Sequence, residues 1–317
     1  MYLDSNVLDA IASQNAGGRI KALFKEHSVI GFGSVQHLIE AFLIQDSGRR
    51  AQMVRTILQV ARRREDEPLS YRELNGFLSE LRRYHPSWLM TNPDLSLINA
   101  DRAWHRKAWQ RLKVDPGYRP AGVLKNWDFV RSVIGESKRR QKGARAARVA
   151  GRPRPVVIED PELRMRLQPL VAKLSPLEAF WREEAAGIWW NAAMGADDQV
   201  RSLSEWLAPL LNLEILDLES WATFWLSEID AGAIPATRVQ LLAGYFQADF
   251  KVDAGNPGDM LHAGYGVEVD YLLTADLNFH SVLSRVANVP DTPMAIPIFI
   301  DRSAADVVRS ITTAMHW

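Results

Sequence analysis

Asn256-Pro257-Gly258-Asp259-Met260-Leu261-His262-Ala263, followed by Val269-Asp270-Tyr271-Leu272-Leu273-Thr274-Ala275-Asp276-Leu277-Asn278-Phe279, decides the fold class of this chain. The first stretch reads as a helix start. Asn256 is a capping residue, Pro257 suits the first helical position, and Asp259 falls in the first turn. The second reads as a short buried strand, Tyr271 to Thr274, which runs into an acidic loop at Asp276 and then into a helix near Phe279. Open parallel sheets bind ligands beyond the carboxyl ends of their strands. Asp276 lies at such an end, and the helix carrying Asp259 leads into the same strand. Two carboxylates are therefore expected at one crevice.

Outward from this stretch, both ends of the chain alternate strand and helix. Ala295 to Ile300 reads as a strand, and Pro297 places it at an edge. Ser303-x-x-Asp306 caps a last helix bearing Val307, Val308 and Ile311. At the other end, Met1-Tyr2-Leu3 is a minimal strand that stops at Asp4. Asn6 and Asp9 then read as cap and first-turn acid of a helix bearing Val7, Leu8 and Ile11, which Gly17-Gly18 ends. A helix with Ile20, Leu23 and Phe24 precedes a second strand, Val29 to Phe32. Ser34 opens a helix whose apolar face is Val35, Leu38, Ile39, Phe42 and Leu43, with Glu40 on its flank. This alternation predicts an α/β fold with a parallel sheet flanked by helices, formed by residues 1–48 and 250–317 together.

Residues 49–249 read differently. Strand signals vanish, and a large all-helical insertion is expected. Ser70-x-x-Glu73 and Ser175-Pro176-x-Glu178 read as capping boxes. Val200, Leu203, Leu207 and Leu210 fit one helical face, as do Trp221, Phe224 and Trp225. Most of the eleven tryptophans fall here, and helical core is the first reading of them. Residues 138–154 form a basic linker in which Lys138, Arg139, Arg140, Lys142, Arg145, Arg148, Arg152 and Arg154 stand without an acid. It reads either as a solvated connection or as a phosphate-binding arm. In the second case Arg139, Arg140, Arg145 and Arg148 are the candidate nucleic-acid contacts.

The formal net charge is zero, so affinity for nucleic acid must come from such a local patch. The chain has no cysteine, which excludes disulfides and thiolate metal sites, and a cytoplasmic setting is expected. No apolar run is long enough to span a bilayer, so no membrane partner is expected. Met1 leads straight into Tyr2-Leu3-Asp4, and no signal peptide is expected.

In four places the chain resembles the PIN-domain nucleases. Tyr2-Leu3-Asp4-Ser5-Asn6-Val7-Leu8 is similar to the family's first strand with its Asp and following small polar residue. Leu38-Ile39-Glu40-Ala41-Phe42 is similar to its second acidic helix. Asp259-Met260-Leu261-His262-Ala263 is similar to the helix with the third acid, and Leu272 to Phe279 to the closing Thr-x-Asp-x-x-Phe motif. The spacing departs from the family's compact domain, because roughly two hundred residues separate the second and third acids. The resemblance implies a metal-dependent endonuclease, a ribonuclease in preference to a DNA enzyme. It also implies a protein inhibitor of the toxin–antitoxin kind as a partner; self-association into a homo-oligomer is a further expectation.

By that resemblance Asp4, Glu40, Asp259 and Asp276 hold one or two Mg²⁺ or Mn²⁺ ions, with Asn6 and Thr274 positioning a carboxylate, a water or the scissile phosphate. The chemistry is consistent with the name. Packed carboxylates raise one another's pKa values, and hard divalent cations relieve that repulsion through oxygen ligands. A bound ion deprotonates water and steadies the leaving oxygen; two shared ions would bring the carboxyl groups within roughly 4–8 Å of one another. Asp253 and Asp270 are substitutes, less well placed. His37 with Glu40 and His262 with Asp259 form a rival pattern, a zinc site, although catalytic zinc has a tighter histidine motif. The alternative from another class is a non-catalytic module that binds nucleic acid or protein on a degenerate PIN-like fold.

Overall fold

A computed structural model of the chain describes residues 1–65, 69–120, 160–195, 201–250 and 256–317, with a few single positions between 121 and 159. Its centre is a parallel sheet of β1 (Tyr2–Leu3), β2 (Gly31–Gly33), β3 (Ala61–Arg64), β4 (Tyr271–Thr274) and β5 (Ile296–Phe299). The strand order is β3-β2-β1-β4-β5, and every pairing is parallel. Tyr2 lies opposite Leu272 and Leu3 opposite Leu273, so the two ends of the chain share one sheet. The fold is α/β, as the alternation of elements predicts. The chain lays β2 and β3 to one side of β1 and later returns to lay β4 on the other. The β1–β4 boundary is thus the topological switch point, where open parallel sheets leave a crevice.

The helices are α1 (Ser5–Ser13), α2 (Gly17–Glu26), α3 (Val35–Leu43), α4 (Ser47–Val60), α5 (Leu69–Tyr84), α6 (Ser96–Val114) and α7 (Pro161–Val171). They continue with α8 (Pro176–Met194), α9 (Arg201–Leu207), α10 (Leu218–Thr223), α11 (Pro235–Gln247), α12 (Asn256–Gly264), α13 (Leu277–Ala287) and α14 (Val307–Ala314). Successive strand residues point to opposite faces, and the two central strands divide their side chains accordingly. Leu3 and Leu273 pack in one core with Val7, Ile20, Phe42, Ile57 and Ile311 from α1, α2, α3, α4 and α14. Tyr2 and Leu272 enter the other core, which continues through α11 and α13 into the helical middle. There Phe77 lies 4.4 Å from Trp189 and 5.5 Å from Trp225, ring centre to ring centre. Trp181, Trp221 and Trp225 are fully buried. These tryptophans are core, as first read.

Several local expectations change. β3 lies inside the stretch read as wholly helical. Its sequence, Ala61-Arg62-Arg63-Arg64, carries charge because it is an edge strand, where charge blocks unwanted pairing. Gly31 makes its close approach to β3's lead-in, since a Cβ there would sit 2.1 Å from the Val60 carbonyl oxygen. At the opposite edge β5 carries Pro297, as expected. Asp4, and not Asn6, caps α1, and Gly17 opens α2 instead of ending α1. Ser70 lies within α5. Glu73 reaches across the fold, accepting from the Ala236 and Thr237 amides at 3.1 and 2.9 Å. Those are orphan donors at the start of α11, where Pro235 supplies none. Among the described residues no helix is long and apolar enough to cross a membrane.

Candidate active site

Asp4 follows β1 directly and is 2% exposed. One carboxylate oxygen accepts from the Val7 amide at 2.9 Å, and the other accepts from the Thr274 hydroxyl. The Thr274 oxygen in turn accepts from the Asp276 amide at 3.0 Å. Thr274 ends β4, so this chain of bonds crosses the switch point. Burial raises the pKa of Asp4, and the bonds from Thr274 and Val7 oppose that rise. Asp276, read as a loop acid, caps α13 by accepting from the Phe279 amide at 2.9 Å.

Glu40 stands on the flank of α3. One of its oxygens accepts from Gln36 at 2.6 Å and from His262 Nε2 at 2.9 Å. Burial alone would raise its pKa. The charge and hydrogen bond of His262, with bonds from Ser5 and Gln36, reverse this and hold it at about 2. His262 sits on α12, one turn beyond Asp259. Its burial favours the neutral ring, but Glu40, Asp4 and Asp259 together raise its pKa. Both partners therefore shift toward the charged pair. The other ring nitrogen lies 2.6 Å from the Tyr2 hydroxyl, which lies 2.9 Å from Ser34 Oγ. Ser5 Oγ approaches Nε2 at 3.3 Å.

The acids are thus arranged around a histidine. Asp4, Glu40 and Asp259 act electrostatically on His262, and Asp276 joins Asp4 through Thr274. Asp259 is half-buried and accepts from Gln247 at 3.4 Å. Among the described residues, no three His, Asp or Glu side chains are gathered as metal ligands. A cavity of about 210 Å³ opens beside Glu40, lined also by Ser5, Asn6 and His37, and the other three acids do not line it.

The remaining candidates separate clearly. His37 Nε2 lies 2.7 Å from the Leu3 carbonyl, and Nδ1 accepts from the Ser34 amide at 3.1 Å. Burial lowers its pKa to about 3. Both ring nitrogens are engaged, so His37 has no free lone pair for zinc. Asp270 is exposed and precedes β4, at the amino end of the sheet. Asp253, Arg140 and Arg148 lie outside the described residues; Arg139 is exposed and Arg145 half-buried. Sequence reasoning missed Tyr2 and Ser5 as partners of His262. Strand alternation marks Tyr2 as inward-facing, but nothing local ties it to a residue 260 positions away. Comparison with family models, curated proteins and solved structures returned no match.

Proposed function

We propose that this protein is a metal-dependent phosphodiester hydrolase, a PIN-like endonuclease acting on RNA in preference to DNA. The observation that carries the reading is the Asp4–Thr274–Asp276 connection across the β1–β4 boundary. Both acids follow the carboxyl ends of neighbouring parallel strands, the kind of position where such sheets bind ligands, and this supports the reading. The ordered resemblance of the four acidic segments supports it as well. In donor type the residues fit Mg²⁺ or Mn²⁺, because each candidate is a carboxylate, and a buried carboxylate such as Asp4 gains most from an adjacent cation.

By the resemblance Asp4, Glu40, Asp259 and Asp276 would hold the ion. Since no three of them are gathered as ligands among the described residues, they would have to draw together around it, and the ion would supply an activated water and charge stabilisation. The chain's own residues set the stage. Thr274 fixes the orientation of the Asp4 carboxylate. His262 holds a proton at Nε2 against Glu40, while Tyr2 and Ser34 hold the ring from behind. Ser5 and Asn6 open α1 and line the cavity beside Glu40.

A second reading, the non-catalytic module, has its own observation. His262 already neutralises Glu40 and lies in the field of Asp4 and Asp259, so the cluster holds a cation of its own. The test is incubation of the purified protein with labelled RNA and DNA pools in Mn²⁺, in EDTA, and as the Asp4→Asn variant. Cleavage of RNA that is lost in EDTA and in the variant is expected. An intact RNA pool in Mn²⁺ would leave only the binding module.

A further inference from the structure

Along the β2–β3 edge lies a cavity of about 400 Å³, lined by Lys21 and Lys25 from α2 and by Arg62 and Arg64 from β3. Its inner wall is apolar and includes Phe24 and Val60, both buried. Among the described residues no carboxylate lines it, and it shares none of its described lining with the acidic site. Several basic side chains nearby or elsewhere are paired: Arg19 with Asp306, Arg49 with Asp9, and Arg63 with Glu268. Among the described residues, no carboxylate pairs with Lys21, Lys25, Arg62 or Arg64. Arg64 donates to the Leu58 carbonyl at 3.2 Å, but its Nε is buried without a hydrogen-bond partner. That nitrogen is closed off from solvent, so any contact with a ligand falls to the outer guanidinium nitrogens of Arg64.

We propose that this cavity binds a nucleoside polyphosphate. Four cations with no paired carboxylate among the described residues match a phosphate chain, and arginine forks suit phosphate oxygens. The apolar wall gives a base and sugar a surface that an inorganic anion does not need, and the volume falls within the usual range for small-ligand sites, about 300–1,000 Å³. Nothing here depends on the nuclease reading, since the acids lie elsewhere.

Calorimetric titration of ATP into the full-length protein, in EDTA, tests this. Saturable binding is expected, at least tenfold weaker in the Lys25→Glu/Arg62→Glu double variant and unchanged in Asp4→Asn. Both substituted side chains are exposed, and circular dichroism checks that the variant is folded. Inorganic tripolyphosphate should bind more weakly than ATP. The proposal is overturned by no saturable binding, by equal binding in the double variant, or by tripolyphosphate binding as tightly as ATP.

Discussion

At the carboxyl ends of β1 and β4, Asp4 and Glu40 are partnered by hydrogen bonds and by His262. Along the β2–β3 edge, Lys21, Lys25, Arg62 and Arg64 surround a cavity that no carboxylate lines among the described residues. The difference follows from solvation. A buried charge without a partner costs several kcal/mol, so the chain must supply the partner during folding. The exposed Lys21, Lys25 and Arg62 keep their hydration and can wait for a ligand. One cluster is therefore built into stability, and the other is nearly free of it.

The largest effect expected is catalytic. Asp4→Asn should lower RNA cleavage by roughly 10²–10³-fold, the scale of losing one preorganised electrostatic group, as read from initial rates in Mn²⁺. Next comes stability. His262→Ala leaves Glu40 without its cation and the Tyr2 hydroxyl without its ring partner, and urea unfolding should show a loss of about 3 kcal/mol. A loss below about 0.5 kcal/mol would mean that the acidic cluster is not compensated from within.

Acid should weaken the same region. The folded pKa of His37 is about 3, below its usual 6.5. The unfolded chain thus binds the extra proton first, and stability falls as pH drops below 6.5. Between pH 7 and pH 5 this amounts to about 2 kcal/mol. His262 acts with the opposite sign. Its raised pKa means that its contribution is complete below 6.5 and is lost as pH rises through the folded value. Comparing urea unfolding of wild type and His37→Gln at both pH values isolates the His37 share. A pH dependence unchanged in the variant would remove it.

Binding outside the site should respond to salt. Replacing Arg139, Arg140, Arg145 and Arg148 with Ala should flatten the logarithmic salt dependence of RNA affinity by about 3, at ~0.7 per phosphate contact. An unchanged slope would make residues 138–154 a plain linker. The smallest effect is expected at the basic cavity. Lys25→Gln with Arg62→Gln should change stability by less than about 0.5 kcal/mol, because no ion pair is broken.

Much of the sheet was legible because it rests on local chemistry. Pro297 marks an edge strand by lacking a donor, and Ser34 caps α3 through a short-range pattern. β3 was not legible, since three arginines carry none of the apolarity by which strands are recognised. Glu73 looked local because its spacing from Ser70 is that of a capping box, but its partners are the first amides of α11. The acids of the candidate site were each visible at an element end or flank. What organises them was not: Tyr2 and His262 meet only after the sheet brings the two ends of the chain together.

The most direct test is calorimetric titration of Mn²⁺ into the wild type and the Asp4→Asn/Asp276→Asn double variant, with thermal unfolding followed alongside. The account predicts saturable binding and a rise in Tm with Mn²⁺ in the wild type, with both lost in the double variant. A wild type indifferent to Mn²⁺, or a double variant that binds it equally well, would contradict the claim that these carboxylates form a metal-dependent site.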